Sequence, residues 1–451
     1  MKNTYIKILS LHVLFGVVVY YSRGFGNLYF FAILAFFFIK IINAPKKGKS
    51  VEIIKACAYL LGVEVVLRMS GGIIFYEAIK YVILLFAVLG LFYNGFNKKA
   101  TMYFVYVLLL IPSVYLSLAL LDVDDNIRKA IAFNLSGPVC LGVTALFCYG
   151  VKVTKSQLES IINHMVYPLV STVVYIFLYN PNVADVATGT GSNFASSGGF
   201  GPNQVSTVLG LGMFLLTVRY FYFSKIKWLK YLDLILVVLF AFRAIVTFSR
   251  GGVFTALIMI VAFIFFQFRS MDKREKTKMA ISVGVLLVVA LGTWVLSSVQ
   301  TNGFIDKRYA NENAMGIEKD DVTTGRGDLF LLEFNEFMEN PGLGVGVGRV
   351  KDIRFQKTGV HAASHNELSR IIAEHGFLGV LAFSILLLVP LFLRLKDRSN
   401  VLFFSFYFFW LLTVNHSAMR IAAPAFIYAL SLLHVVNEKN PVHRKQVISK
   451  R

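Results

Sequence analysis

The chain is built around apolar blocks of about 15–22 residues, the length that an α-helix needs to cross ~30 Å of hydrocarbon. In lipid such a segment must satisfy its own backbone hydrogen bonds, so helices are expected. Of 451 residues only 16% are charged, whereas soluble proteins carry roughly a quarter. The sequence predicts an all-α polytopic membrane protein with about 12–14 transmembrane helices. The predicted spans are 8–21, 27–42, 51–67, 73–93, 101–121, 127–149, 161–179, 203–223, 229–248, 252–268, 279–298, 377–395, 400–414 and 420–436.

The formal net charge of +20 suggests nucleic-acid binding, but its distribution argues against that function. Lysines and arginines concentrate in every second loop between the predicted spans, as the positive-inside rule requires. This pattern predicts a multi-pass membrane protein with both termini in the cytoplasm. The predicted regions are a transmembrane bundle of about 11 spans at 1–298, a large periplasmic loop at 299–376, C-terminal transmembrane helices at 377–436 and a basic cytoplasmic tail at 437–451.

The large loop at 299–376 differs in charge from the remainder of the chain. It contains nine Lys/Arg and twelve Asp/Glu, so its net charge is −3 while that of the remainder is +23. A helix is predicted at 326–339, because aromatic residues recur at helical spacing and an Asn-Pro-Gly run follows. Its apolar face is expected to lie on the membrane surface or to pack against the bundle. The alternate glycines at 342–348 allow two interpretations. The segment lets another backbone or a phosphate approach it closely, or it is a mobile connector.

The loop ends in a motif that places a histidine near a helix start. Ser364 and Glu367 have the spacing of a capping box, with Ser364 as N-cap. This arrangement puts His365 in the first turn of a short helix that Gly376 ends about three turns later. The positive end of the helix dipole would keep His365 neutral and able to accept a proton, and the free N–H groups would attract an anion. Glu367 is structural in this interpretation.

Arginines are predicted on the same side of the membrane. Arg250 lies at a tight turn between two predicted spans, and Arg243 is two turns earlier, ~10 Å away on one helical face. An intramembrane arginine is a functional-site hypothesis by default, and two guanidinium groups suit a diphosphate. Arg326 in the large loop adds a third. The alternative is that Arg250 only extends its side chain to the membrane interface.

Together these residues resemble a known family. His365-Asn366, then nine residues, then Gly376-x-x-Gly379, is similar to the H-[N/S/Q]-x9-G-x-x-G signature of bacterial O-antigen ligases and O-linked oligosaccharyltransferases. The O-antigen polymerases belong to the same superfamily. Ser-Arg-Gly-Gly at 249–252 and Thr-Gly-Arg at 324–326 resemble two further sequence blocks of this family.

The resemblance implies a metal-independent, inverting glycosyltransferase of the bacterial inner membrane, without a cofactor and with its active site at the periplasmic face. Its donor would be a glycan on undecaprenyl pyrophosphate, and its acceptor a hydroxyl of lipid A–core, of a second lipid-linked glycan or of a protein serine. His365 would be the general base, and Arg250 and Arg326 would stabilise the leaving diphosphate. To these we add Arg243 and His361 as substrate-binding residues. The expected structural residues are Ser364, Glu367, Gly376 and Gly379.

Several alternatives stay open at this point. His361 and His365 have i,i+4 spacing and could bind zinc with His375 or His416, although no cysteine or carboxylate completes a tetrahedral set. A transporter or flippase would also have 12–14 spans, but would not require the polar residues to concentrate in one loop. Between the two transferase activities, the histidine signature favours a ligase and the span number favours a polymerase.

Overall fold

The computed structural model describes residues 2–95, 97–120, 127–319, 321, 325–359 and 364–436, and nearly all regular structure in these ranges is helical. Nine of the described helices are long and apolar enough to cross a membrane. The predicted fold class, an all-α polytopic membrane protein, is therefore confirmed.

The described α-helices, numbered in chain order, are α1 (Lys2–Tyr21), α2 (Arg23–Asn43), α3 (Lys49–Met69), α4 (Ala78–Asn94), α5 (Thr101–Leu109), α6 (Ile111–Leu120), α7 (Ile127–Cys148), α8 (Lys155–Tyr179), α9 (Pro202–Val218), α10 (Lys227–Val246), α11 (Arg250–Arg269), α12 (Lys273–Gln300), α13 (Phe304–Tyr309), α14 (Arg326–Glu339), α15 (Val350–Thr358), α16 (Glu367–Lys396), α17 (Phe403–Val414) and α18 (Ala423–Ser431). Two short strands, β1 (Lys152–Thr154) and β2 (His434–Val436), pair in parallel.

Each of the fourteen predicted spans overlaps a described helix, but these helices differ in length and charge. α3 and α10 have 21 and 20 residues, yet both contain several charged side chains that set them apart from the nine long apolar helices. α17 has 12 residues and α18 has only nine. At 1.5 Å per residue α18 is about 14 Å long, less than half of the hydrocarbon thickness. The predicted continuous span at 420–436 is therefore wrong, because α18 ends at Ser431 and β2 follows.

The two ends of the bundle are distinguished by the segments that they contain. We call the end with residues 301–319 and 325–359 the loop end, and the end with β1 and β2 the tail end. Residues 397–402 lie at the tail end, where Asn400 Nδ2 donates to the carbonyl of Leu430 at 3.1 Å. α17 leaves the tail end and α18 returns to it, so the turn between them, residues 415–422, lies toward the loop end.

The buried centre of the bundle consists of α3, α8, α9 and α18, whose side chains are buried on most sides. α3 packs on α8, α9 lies between α10 and α11, and α18 packs on α7 and α17. In contrast, α12 buries only Met279, Thr293 and Ser297, so most of its apolar surface faces outward. This difference is the one expected between central helices and a helix at the lipid boundary.

α14 begins and ends where the sequence predicts, but its polar face is buried and its apolar face is exposed. Its buried residues are Glu333 and Glu336, which pair with basic side chains of α15. Phe330, Phe334 and Met338 are exposed. The expectation that this apolar face packs against the bundle is wrong, because α14 is attached through ion pairs of its two buried glutamates. That the face lies on the membrane surface stays a prediction.

Candidate anion-binding site around His365

The polypeptide around His365 forms a turn that leads into α16. The N-cap of α16 is Asn366, whose Oδ1 accepts two backbone N–H groups of the first turn at 2.9 and 3.3 Å. The predicted capping box with Ser364 as N-cap is therefore wrong, since Asn caps a helix as well as Ser does. Ser364 Oγ instead accepts the N–H of Asn366 at 3.1 Å. His365 consequently precedes the helix and does not lie in its first turn.

A buried carboxylate on α14 fixes the chain on both sides of His365. Glu333 Oε2 accepts the hydroxyl of Ser364 at 3.3 Å and that of Ser369. Its other oxygen, Oε1, accepts Arg354 Nη2 at 2.7 Å, and both partners of this ion pair are fully buried. Removing one partner of a buried pair is strongly destabilising. α14, α15 and the start of α16 thus form one unit that holds His365.

The first turns of α16 end at a backbone break. Gly376 has φ 60° and ψ −139°, a conformation that only glycine adopts readily. A Cβ at this position would lie 2.6 Å from the carbonyl oxygen of Gly342 and from the backbone nitrogen of Gly344. The glycine-rich segment therefore packs directly against the break. Of the alternatives for this segment, close approach of another backbone is the one that the structure shows.

Backbone hydrogen bonds attach the glycine-rich segment to α16. The N–H of Val345 donates to the carbonyl of Ala373 at 2.9 Å, and the N–H of Gly348 donates to Glu374 Oε1 at 2.8 Å. One turn beyond the break, a Cβ on Gly379 would lie 2.3 Å from the carbonyl oxygen of Ile371. Gly379 therefore lets the two parts of α16 approach each other closely at the break.

Glu367 has a structural position. It pairs with Arg370, and its Oε2 accepts the N–H of Met419 at 3.3 Å, which ties α16 to the 415–422 turn. Arg370 also pairs with Glu374, as the i,i+4 spacing predicts, and donates to the carbonyl of Asn134 at 3.0 Å. These contacts anchor the short helix after His365 to α7 and to the 415–422 turn.

His365 is half-buried, and its Nδ1 has no hydrogen-bond partner among the described residues. Burial, together with the positive charges of Arg420, Arg326 and Arg354, lowers the pKa of His365 to about 4. The imidazole is therefore neutral at ordinary pH and can accept a proton. The helix dipole, which the sequence predicts as the cause of this neutrality, is not the main one. His365 precedes α16, and burial lowers its pKa more than any charged neighbour does.

Three arginines form a cluster, and one of them, Arg326, acts electrostatically on His365. Arg250 Nη1 donates to the carbonyl of Arg308 at 3.5 Å, and Arg308 Nε donates to the carbonyl of Phe248 at 3.1 Å. Burial lowers the pKa of Arg326, and so does the positive charge of Arg250. Arg308 and Arg326 form no ion pair with any described residue. The structure thus brings the predicted Arg250 and Arg326 together with Arg308. Arg308 was not predicted from the sequence, and the only signal there is its position in a Lys-Arg pair of the polar loop.

Arg243 does not join this cluster. Its guanidinium is fully buried, donates to the side chain and carbonyl of Asn180 at 2.7 and 3.1 Å, and stacks on Phe177 at 3.9 Å. The prediction that Arg243 and Arg250 share one helical face is wrong, because α10 ends at Val246 and Arg250 begins α11. Arg243 ties α10 to the chain that follows α8, which is a structural role.

The histidines of the zinc alternative occupy separate environments. His361 lies outside the described residues. His375 is fully buried in α16. His416, in the 415–422 turn, approaches Thr207 Oγ1 at 3.3 Å, and a Cβ on Gly251 would lie 2.5 Å from its ring. Within the described ranges no three His, Cys, Asp or Glu side chains are grouped so that they could hold a metal ion. Metal independence stays a prediction.

The bundle and the site define a class: a polytopic membrane protein with a neutral histidine among arginines at the end that holds its largest loop. Residues 235–384, 150 of 451, match the family model described as O-antigen ligase. This match, over about a third of the chain, supports the resemblance to the O-antigen ligase superfamily. The matched segment contains Arg250, Arg326 and His365, but ends before the 415–422 turn. No curated protein and no solved structure matches the chain.

Proposed function

We propose that this protein transfers a glycan from undecaprenyl pyrophosphate to an acceptor hydroxyl at the periplasmic face of the inner membrane. The acceptor in this proposal is lipid A–core, which agrees with the family description of O-antigen ligase. The observation that supports the proposal best is the juxtaposition of a neutral, half-buried His365 with Arg326 and Arg308, neither of which forms an ion pair among the described residues.

His365 would act as the general base. A sugar hydroxyl is a poor nucleophile, and an imidazole with an unoccupied nitrogen can remove its proton as the hydroxyl oxygen attacks the anomeric carbon of the donor. In that step the new C–O bond forms while the bond from the anomeric carbon to the diphosphate oxygen breaks. Attack opposite the leaving group inverts the anomeric configuration. The proton then resides on His365.

The arginine cluster would bind the leaving group. Undecaprenyl pyrophosphate gains negative charge as the glycosidic bond breaks, and positioned guanidinium groups stabilise developing charge in a partly buried site. Arg250, Arg308 and Arg326 can offer several N–H donors to adjacent phosphate oxygens. Glu333 and Glu336, the two buried acidic residues of α14, pair with α15 and not with this cluster.

A cavity of about 490 Å³ between α10, α11 and α12 supports a lipid-linked donor. Apolar side chains line nearly all of it, among them Ala241, Leu257, Ile260 and Ala290. Leu257 lies two turns along α11 from Arg250, so an isoprenoid chain in the cavity could carry its diphosphate to the arginines. An apolar chain in an apolar cavity is stabilised by the area that it removes from water.

A polymerase is the second candidate, because a second lipid-linked glycan presents a hydroxyl to the same base and the superfamily contains both activities. A transporter would leave the neutral histidine without a role. The family description favours the ligase over the polymerase.

The test is a surface-polysaccharide gel of cells that lack this gene and are complemented with wild type, His365→Ala or His434→Ala. His434 lies at the tail end and serves as the matched control. A ligase predicts that long chains on core are absent with His365→Ala, while undecaprenyl-linked polymer accumulates, and that His434→Ala restores them. Core with a single repeat unit would identify a polymerase. Long chains restored by His365→Ala, at equal protein level in the membrane, would refute the base assignment.

A further inference from the structure

The 415–422 turn lies beyond the segment that matches the family, yet it lines the site. Two buried carboxylates hold its backbone from different helices. Glu367 of α16 accepts the N–H of Met419 at 3.3 Å, and Glu64 of α3 accepts the N–H of Ala422 at 2.7 Å. Both carboxylates are almost fully buried. The turn is therefore fixed on two sides and does not behave as a simple connection between α17 and α18.

Glu64 belongs to an intramembrane ion pair that also supports the turn. Arg68 Nη2 lies 2.5 Å from Glu64 Oε1 and donates to the carbonyl of Arg420 at 3.2 Å. The same nitrogen donates to the carbonyl of Tyr76 at 2.8 Å, and the guanidinium stacks on the Tyr76 ring at 3.8 Å. Charges inside a membrane are costly and are retained where they serve a function. Here the pair positions Arg420.

Arg420 itself faces the site. Its Nη2 donates to the carbonyl of Ser364, the residue before His365, at 2.6 Å, and its guanidinium lies 5.0 Å from the ring of Phe133 on α7. The side chain is half-buried. It forms no ion pair with any residue in the described ranges, because Glu64 and Glu367 already pair with Arg68 and Arg370. Arg420 therefore keeps a full charge and several N–H donors for a ligand.

The turn separates Arg420 from the arginine cluster. At one end of the turn, the His416 ring lies against Gly251, next to Arg250. At the other end, Arg420 contacts Phe133 of α7 and receives support from α3. His365 is close to members of both groups, since Arg420 binds the carbonyl of the preceding residue and the charges of both Arg420 and Arg326 act on the imidazole. Cationic groups from two separate parts of the chain therefore reach the same base.

We propose that Arg420 forms a second anion-binding site, which takes a phosphate or diphosphate group of the acceptor, while Arg250, Arg308 and Arg326 take the diphosphate of the donor. The assignment to the acceptor rests on the proposed function. With both anions bound, the acceptor hydroxyl lies beside His365 and the anomeric carbon of the donor faces it. The anion on the acceptor is either a phosphate ester on a core sugar or the diphosphate of a second lipid-linked glycan.

The first experiment counts anion sites and does not depend on transfer activity. Full-length protein in phosphatidylcholine nanodiscs is titrated with inorganic diphosphate by isothermal titration calorimetry. Wild type should bind two diphosphates per chain, and Arg420→Gln and Arg326→Gln should each bind one. Arg349→Gln, which removes the same charge from the loop outside the site, should bind two. One diphosphate in wild type, or two in Arg420→Gln, would overturn the second site.

Arg420→Lys is a second variant that tests the proposal if Arg420→Gln does not fold. It keeps the positive charge but cannot reproduce bidentate contacts with phosphate, so it should keep two sites and weaken one by about tenfold. An affinity equal to that of wild type at both sites would overturn the role of Arg420. Monodisperse gel filtration of each variant establishes that the protein is folded.

The second experiment assigns the site to the acceptor. Transfer is measured with a lipid pyrophosphate-linked glycan as donor and with three acceptors: core oligosaccharide on lipid A, the same acceptor after phosphatase treatment, and a second lipid-linked glycan. Arg420→Gln should raise the KM for the preferred acceptor about tenfold or more and leave the KM for the donor within about twofold. A raised KM for the donor alone would overturn the assignment.

The acceptors distinguish the two sources of the anion. If phosphatase treatment removes the difference between wild type and Arg420→Gln, the anion is a phosphate on the core. If only the second lipid-linked glycan shows the difference, the anion is its diphosphate. No transfer by wild type to any acceptor would refute the proposed function, and the calorimetric stoichiometry would still decide whether Arg420 forms a second anion site.

Discussion

The break in α16 at Gly376 allows a sharp test of how the site is held. Replacing Gly376 with alanine adds one Cβ to a residue with φ 60° and ψ −139°. The new atom would lie 2.6 Å from Gly342 O and Gly344 N and 2.7 Å from Pro341 O. All three neighbours are backbone atoms, so no flexible side chain can move aside. The glycine-rich segment must shift away from α16, or the break must change its conformation.

The loss of folding free energy caused by this substitution has two parts. The φ/ψ region is almost restricted to glycine and costs about 1–3 kcal/mol for another residue. Overpacking against a fixed neighbour adds about 1–3 kcal/mol. Gly376→Ala should therefore lower the free energy of unfolding by about 2–6 kcal/mol. Because α16 starts two residues after His365, the same shift should move the base and reduce transfer.

The assay is unfolding in mixed micelles of a mild detergent and SDS, with transfer rates measured on the same preparations. Gly292→Ala on α12 is the matched control, since a Cβ there meets no atom within 4 Å. It should leave stability unchanged or raise it by up to about 1 kcal/mol. A free energy of unfolding for Gly376→Ala within about 0.5 kcal/mol of that control would refute the reasoning.

Further predictions concern the base, the cap, the arginines and metal. Because burial lowers the pKa of His365 to about 4, kcat/KM should stay level from pH 7 to about pH 5 and fall only at lower pH; an acid limb near 6.5 would contradict this. Asn366→Ala should cost about 1 kcal/mol in the unfolding assay. Arg326→Lys should lower kcat/KM roughly 100-fold in the transfer assay, because an ammonium cannot bind phosphate bidentately. EDTA should leave transfer unchanged, and inhibition that Zn²⁺ reverses would favour a metal site at His361 and His365.

The features that the sequence determined are local ones. Apolar blocks located the nine described helices that are long and apolar enough to cross a membrane, since burial of a whole helix in lipid depends only on its own length and composition. The bounds of α14 at Arg326 and Glu339 agree with the prediction, because its period and the Asn-Pro-Gly stop lie within one short segment. The histidine signature depends on residues within one stretch of chain, and it led to the family that residues 235–384 match.

The tertiary structure decided which charges face the site. The sequence shows that the large loop has a net charge of −3, yet the site is cationic, because Glu333 pairs with Arg354 while Arg326 and Arg308 stay without ion pairs among the described residues. Arg243 is held by Asn180, 63 positions away, and the backbone of Arg420 is supported from α3 across 352 positions. Such pairings depend on how helices pack and leave no local pattern, so only the folded chain separates the arginines that can bind an anion from those that hold helices together.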